Sequence, residues 1–199
     1  LFTPLIKKIS ELAKVRCGSD DVVDNTMRIL AEHSRGITFL IGDGVMPSNE
    51  GRGYVLRRLL RRAALFGKRL GLDKPFLAET AKLTIQQMGH IYPEIGQRQD
   101  FILKVIELEE ARFDETLSTG LELLDEIMEE AASKRRKKIS GTEAFKLYDT
   151  YGFPVELTTE IAAGHGFSVD LEVFNRAMQR QRERAKKAQK FQLTLKGQA

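Results

Sequence analysis

Gly42 to Arg69 reads GDGVMPSNEGRGYVLRRLLRRAALFGKR and joins a turn-rich loop to a helix with one basic face. From Arg52 to Arg69 there are seven basic residues and no acidic one. At a helical step of about 100° per residue, Arg57, Arg58, Arg61, Arg62, Lys68 and Arg69 fall within an arc of roughly 140°. Leu56, Leu59, Leu60, Ala63 and Phe66 take the other side. One side suits a core and the other a polyanion. Solvated helix faces mix signs, so a face without carboxylates points to nucleic acid rather than to water alone. Ahead of the helix, Pro47, Ser48 and Asn49 are turn formers. Gly51 and Gly53 are expected to leave backbone N–H groups uncovered at the helix start, where phosphate is attracted. The lysine and hydroxyl of a nucleotide phosphate loop do not follow them.

Outward from this stretch the pattern stays helical. Phe2 to Val15 is amphipathic through Leu5, Ile6, Ile9 and Leu12, with Pro4 suited to a first turn. A second helix, from about Asp24 to Leu40, carries Met27, Leu30, Ser34 and Ile37 on one face; His33 along it reads as a hydrogen-bonded structural histidine. Phe76 to Met88 forms a further helix, and Tyr92-Pro93 is extended. From Gln97 to Ser133 a stripe runs through Ile102, Val105, Ile106, Phe113, Leu117, Leu121, Leu124 and Met128. That length predicts a projecting strut or a bend near Gly120, and its paired acids read as solubilising. Ser140-Gly-Thr-Glu143 is a capping box that opens a helix through Tyr148, delivering Asp149 into the turn Thr150 to Pro154. Helices over Glu156 to Ala163 and Asp170 to about Gln189 follow, and Phe191 to Leu195 alternates weakly like a strand. The expected fold is all-α: a multi-helix domain with one long helix or helical hairpin and at most marginal β at the C-terminal end.

Two long motifs carry a resemblance. ITFLIGDGVMPSNEGRGYVLRRLLRRA at Ile37 to Ala63 and FKLYDTYGFPVELT at Phe145 to Thr158 resemble, in order and spacing, the segment that follows the aminoacylation domain in alanyl-tRNA synthetases. The likeness covers essentially this whole chain and only part of such an enzyme. It implies a tRNA-recognition domain that binds the acceptor stem of tRNA(Ala). The family's main identity signal there is a G·U wobble pair. By the same resemblance Asn49 and Asp149 read that pair, while the basic stretch itself assigns Arg52, Arg57, Arg58, Arg61 and Arg62 to phosphates. Read without the family, Asn49 is a turn former and Asp149 a helix-end acceptor. The resemblance also implies ATP with Mg as cofactors of the parent enzyme, none in this piece, and aminoacylation and editing domains of the same parent chain as neighbours.

Composition bounds these expectations. The 199 residues are 42% hydrophobic and 30% charged, which describes a folded, charge-rich protein able to build a core. The net charge is only +4, so its distribution matters more than its total. Gln97 to Ser133 has eleven acids against three bases, while Asp170 to Ala199 has eight bases against three acids. An interaction module docking proteins through that acidic helix and basic tail is therefore the alternative reading. Cys17 is the only cysteine, which excludes an intrachain disulfide and suggests an intracellular, cytoplasmic setting with a half-buried thiol. His33, His90 and His165 have no ligand spacing, so no metal site is expected, and no Ser/His/Asp or Cys/His group suggests catalysis by this piece alone. No apolar run reaches membrane-spanning length, so no membrane partner is expected. The chain starts at Leu1 without a methionine and reads as cut from something longer. We expect the domain at residues 1–189, with a subdivision at 1–133 and 134–189, and residues 190–199 as a linker.

Overall fold

The computed structural model describes residues 2–18 and 20–196, with side chains described as far as residue 183. In chain order the elements are α1 (Thr3–Ala13), α2 (Asp21–Gly42), α3 (Gly51–Arg69), α4 (Leu77–Met88), α5 (Pro93–Gln97), α6 (Gln99–Ser133), β1 (Lys138–Ile139), α7 (Gly141–Tyr151), α8 (Val155–Gly164), β2 (Ser168–Val169) and α9 (Leu171–Lys196). The fold is all-α. Two compact units divide it, Leu1–Glu115 and Thr116–Ala199.

In the first unit, α2 begins where Asp20 turns its side chain back to accept from the Val22 N–H, ahead of the expected start at Asp24. Met27, Leu30, Ile37 and Ile41 of α2 are fully buried with Leu56 and Leu60 of α3. The face of α2 toward α4 is partly polar. Thr80 Oγ1 lies 2.9 Å from both Ser34 Oγ of α2 and the Leu77 carbonyl oxygen, so this buried hydroxyl has partners on two helices. Pro93 opens the short helix α5 instead of lying in an extended segment, and it delivers Ile95 into the core. Cys17 is exposed, not half-buried, because it sits in the loop after α1 and on neither helix's inner face.

Helix α4 has no side-chain cap of its own. Glu110 of α6 supplies it, accepting from the N–H groups of Phe76 at 3.0 Å and Leu77 at 3.2 Å. Glu110 is 5% exposed, and its neighbour Glu109 is 3% exposed. The expectation that the paired acids of this helix are solubilising is therefore corrected for these two. They stand on the buried stripe between Ile106 and Phe113.

In the second unit, β1 and β2 pair in parallel, Lys138 with Ser168 and Ile139 with Val169, and α7 and α8 form the crossover. Two-residue strands are too short to show alternation, so they were invisible to periodicity. The β structure lies here and not at Phe191 to Leu195, which belongs to α9. Of the expected linker, residues 197–199 lie outside the described residues. The capping box forms as expected, with Glu143 accepting from the Ser140 N–H and Ser140 Oγ from the Glu143 N–H. Helix α6 passes through Gly120 uninterrupted. A Cβ there would lie 2.3 Å from Phe153 Cε2, so the glycine admits the fully buried Phe153 ring.

Burial pushes the Glu110 carboxyl up to about 7, against the two backbone N–H groups and Lys68, which lower it. Because its folded pKa lies above its unfolded one, the native state binds the extra proton between about pH 4.5 and 7. Stability from this group is full below that window and falls as pH rises through it. Glu110→Gln should remove a slope of up to about 1.4 kcal/mol per pH unit from the difference between variant and parent unfolding curves. Parallel curves from denaturant titrations between pH 4 and 8 would contradict it.

Candidate nucleic-acid interface

The basic face of α3 is sorted by burial. Arg52 is exposed, Arg57, Arg58 and Arg62 are half-buried, and Arg61 is 9% exposed. Arg61 points its guanidinium fork at Glu109, with Nε at 3.1 Å and Nη2 at 2.8 Å from Oε1, and its plane lies 5.2 Å from the Phe113 ring centre. Arg57 Nε lies 3.0 Å from the same oxygen, as an ion pair out of line for a hydrogen bond. Lys68 pairs with Asp114 at 2.8 Å. The carboxylates missing from α3 thus arrive from α6, a partnership that a reading of α3 alone does not contain. Removing one member of so buried a pair costs about 3–5 kcal/mol in comparable cases.

Arg62 lies with Nη1 3.0 Å from His33 Nε2 and stacks over Phe66 at 4.6 Å. Arginine only donates, so Nε2 accepts, as a structural histidine would. Arg69 also lies over Phe66, at 5.0 Å.

The loop before α3 is built differently from the expected phosphate cradle. Ser48 N–H donates to Gly53 O at 3.1 Å, folding Met46 to Ser48 over the first turn. A Cβ on Gly53 would sit 2.2 Å from Ser48 Oγ and 2.3 Å from Met46 O. Gly53 is therefore buried beneath the loop instead of being open to a ligand, while Gly51 is exposed and takes φ +57° at the helix start. Asn49 is exposed at the tip, and its Oδ1 accepts from Arg57 Nη1 at 2.5 Å.

The second unit holds its own candidate site. Asp149 lies on the last turn of α7, not in the turn beyond it, since the helix runs on to Tyr151 and closes at Gly152. Its carboxylate accepts from Gln181 Nε2 of α9. Both line a cavity of about 440 Å³ with Thr142, Phe145, Arg176 and Arg180. Phe145 and Tyr148 rest against Phe174, at 6.3 and 5.9 Å between ring centres, which fixes α7 on α9. Sequence reasoning passed over Arg176, Arg180 and Gln181. The four-residue spacing of Arg176 and Arg180 puts them on one face of α9, with Gln181 beside it, a signal present in the chain but meaningless until α7 is laid beside it. The basic tail beyond, from Arg184 to Lys196, lies outside the described side chains. Among the described residues no three His, Cys, Asp or Glu side chains gather as a metal group. No helix of the described residues is long and apolar enough to cross a membrane.

The profile of the family described as tRNA synthetases class II (A) matches residues 1–199. An alanine–tRNA ligase of Dehalococcoides mccartyi (strain CBDB1) is 56% identical over 191 residues, 96% of this chain and 22% of that protein. Those of Geobacillus thermodenitrificans and Carboxydothermus hydrogenoformans are each 50% identical over 188 residues, 94% of this chain and 21% and 22% of theirs. The chain therefore spans about a fifth of the length of these curated relatives.

Gly53→Ala should push the Met46 to Ser48 strap off the start of α3, because both close neighbours of the new Cβ belong to it and one is backbone. We expect a stability loss of about 1–3 kcal/mol, as for other overpacked sites, read as a lower denaturant midpoint at unchanged slope. Gly51→Ala, in open space but at positive φ, should cost less, on the order of 1 kcal/mol.

Proposed function

The chain belongs to the class II (A) tRNA synthetases, and from that premise we propose that it is the tRNA-recognition part of an alanine–tRNA ligase. In the cytoplasm it holds the acceptor stem of tRNA(Ala) and reads a G·U pair, while aminoacylation and editing domains of the same parent chain complete the enzyme. ATP with Mg belongs to the whole ligase reaction, in which alanine is activated and transferred. No step of that chemistry is assigned to the residues described here.

The observation that carries the reading is the setting of Asp149. A-form RNA displays its base edges in a wide, shallow minor groove, and a G·U wobble leaves the guanine amino group there without its usual partner. A carboxylate accepts from that amino group. Asp149 sits on the wall of a cavity shared with Arg176 and Arg180, cations suited to the flanking phosphates. A carboxylate alone would repel RNA; one flanked by two arginines is selective without being repulsive. In the first unit, Arg52, Arg57, Arg58 and Arg62 of the expected phosphate set are less buried than Arg61, and Asn49 is the exposed base-edge group. Arg57 and Arg61 act from within, through Glu109.

The competing protein-docking role for the acidic helix is weakened by the same structure. Glu109 and Glu110 face inward and Asp114 is paired with Lys68, so three of the acids that would attract a partner are engaged within their own unit.

Binding of the full-length protein to acceptor-stem duplexes differing only in G·U versus G·C tests the assignment. Asp149→Ala, which deletes the acceptor, should narrow the preference by on the order of 1–3 kcal/mol. Arg176→Gln and Arg180→Gln should each lower the slope of log K against log salt by about one and weaken both duplexes alike. Asn49→Ala and Asp149→Ala should combine less than additively if both groups address one pair. An Asp149→Ala protein with an undiminished G·U preference would overturn the reading.

A further inference from the structure

We infer that Arg57, held by the buried Glu109, is a positioning residue that turns Asn49 into an obligate hydrogen-bond donor toward RNA. The inference rests on the RNA-reading proposed above and concerns which atom of Asn49 does the reading. One guanidinium spans three anchors. Its Nε lies 3.0 Å from Glu109 Oε1, its Nη1 is 2.5 Å from Asn49 Oδ1, and its Nη2 is 3.5 Å from the Pro47 carbonyl. Glu109 is 3% exposed and is held in turn by the Nε and Nη2 of Arg61. The planar fork therefore has a fixed inner edge, and its outer edge meets both the backbone and the side chain of the loop tip.

A carboxamide is ambiguous, since rotation by half a turn exchanges acceptor for donor. Arginine removes the ambiguity because it has five N–H donors and no acceptor, so the atom facing it must be oxygen. Asn49 is exposed, and Nδ2 is then the terminal atom left to meet a ligand. Duplex minor grooves offer acceptors to such a donor: pyrimidine O2, purine N3 and the ribose 2′-hydroxyl. The chemistry divides between the two base-edge groups, Asn49 giving hydrogen bonds and Asp149 accepting them. Glu109 touches no RNA in this scheme. Its influence passes through Arg57 alone.

The test uses the full-length protein and the same two duplexes, with the fold checked by circular dichroism. Asn49→Asp keeps the shape, keeps an acceptor for Arg57 and deletes the outward N–H groups. It should lose as much G·U preference as Asn49→Ala, about tenfold. Glu109→Gln should narrow the preference several-fold with the salt slope unchanged, and should add nothing in an Asn49→Ala background, whereas a general packing role would add in full. Should Glu109→Gln fail to fold, Arg57→Lys retains the charge but loses the fork, and must show the same loss and the same lack of additivity. An Asn49→Asp protein that keeps the preference, or additive effects of Glu109→Gln or Arg57→Lys with Asn49→Ala, would overturn the inference while leaving base reading by Asn49 intact. If Asn49→Ala itself leaves the preference unaltered, base reading by Asn49 fails, and this inference with it.

Discussion

Burying a guanidinium in the first unit is possible because Glu109 meets it there. Arg61 sits on the inner side of α3 with less than a tenth of its surface exposed, and without a carboxylate its charge would oppose folding. Glu109 Oε1 takes both ends of that fork and the Nε of Arg57 as well. One residue further along α6, Glu110 satisfies the first N–H groups of α4. Two adjacent carboxylates thereby tie one helix to two others, each by a directional contact that fixes rotation as well as distance. Hydrophobic burial between helices is tolerant of small slides; these contacts are not.

This arrangement divides the arginine run into two populations. Those facing α6 are neutralised and stiffened, while Arg52 stays at the surface. Arg62 braces His33 and Phe66, so even a half-exposed cation contributes to packing through its stem and plane. A run of positive charge on a helix is thus part scaffold and part exposed surface, and the partner on the neighbouring helix decides which residue is which.

The second unit reaches a comparable end by other means. Its carboxylate, Asp149, stands on the final turn of α7, and its cations stand one and two turns into α9. Aromatic contacts of Phe145 and Tyr148 with Phe174 fix the two helices, and Gly120 lets Phe153 seat against α6. The polar groups of this cavity thus rest on an aromatic foundation that holds their geometry.

Local signals in the chain were sufficient for most of the helices, though not for the five-residue α5 or the end of α9. The periodic stripes of α2, α3 and α6 and the reciprocal capping box of Ser140 and Glu143 are short-range physics, readable because each depends on neighbours within a few residues. The motifs around Asn49 and Asp149 were likewise legible as motifs, and with them the family. Tertiary structure alone decided which charges face inward. Glu109 and Arg61 are 48 positions apart, and nothing in either local pattern announces the other. The same holds for Gly53, whose missing side chain serves a strap rather than a phosphate, and for Arg176 and Arg180, which gain a role only when α9 lies along α7. The two-residue strands fall in this class as well, since a pair of hydrogen-bonded rungs has no period to detect. Periodicity reports how a segment meets a generic interior, while the identity of a partner depends on chain closure over tens of residues, which only the folded packing supplies.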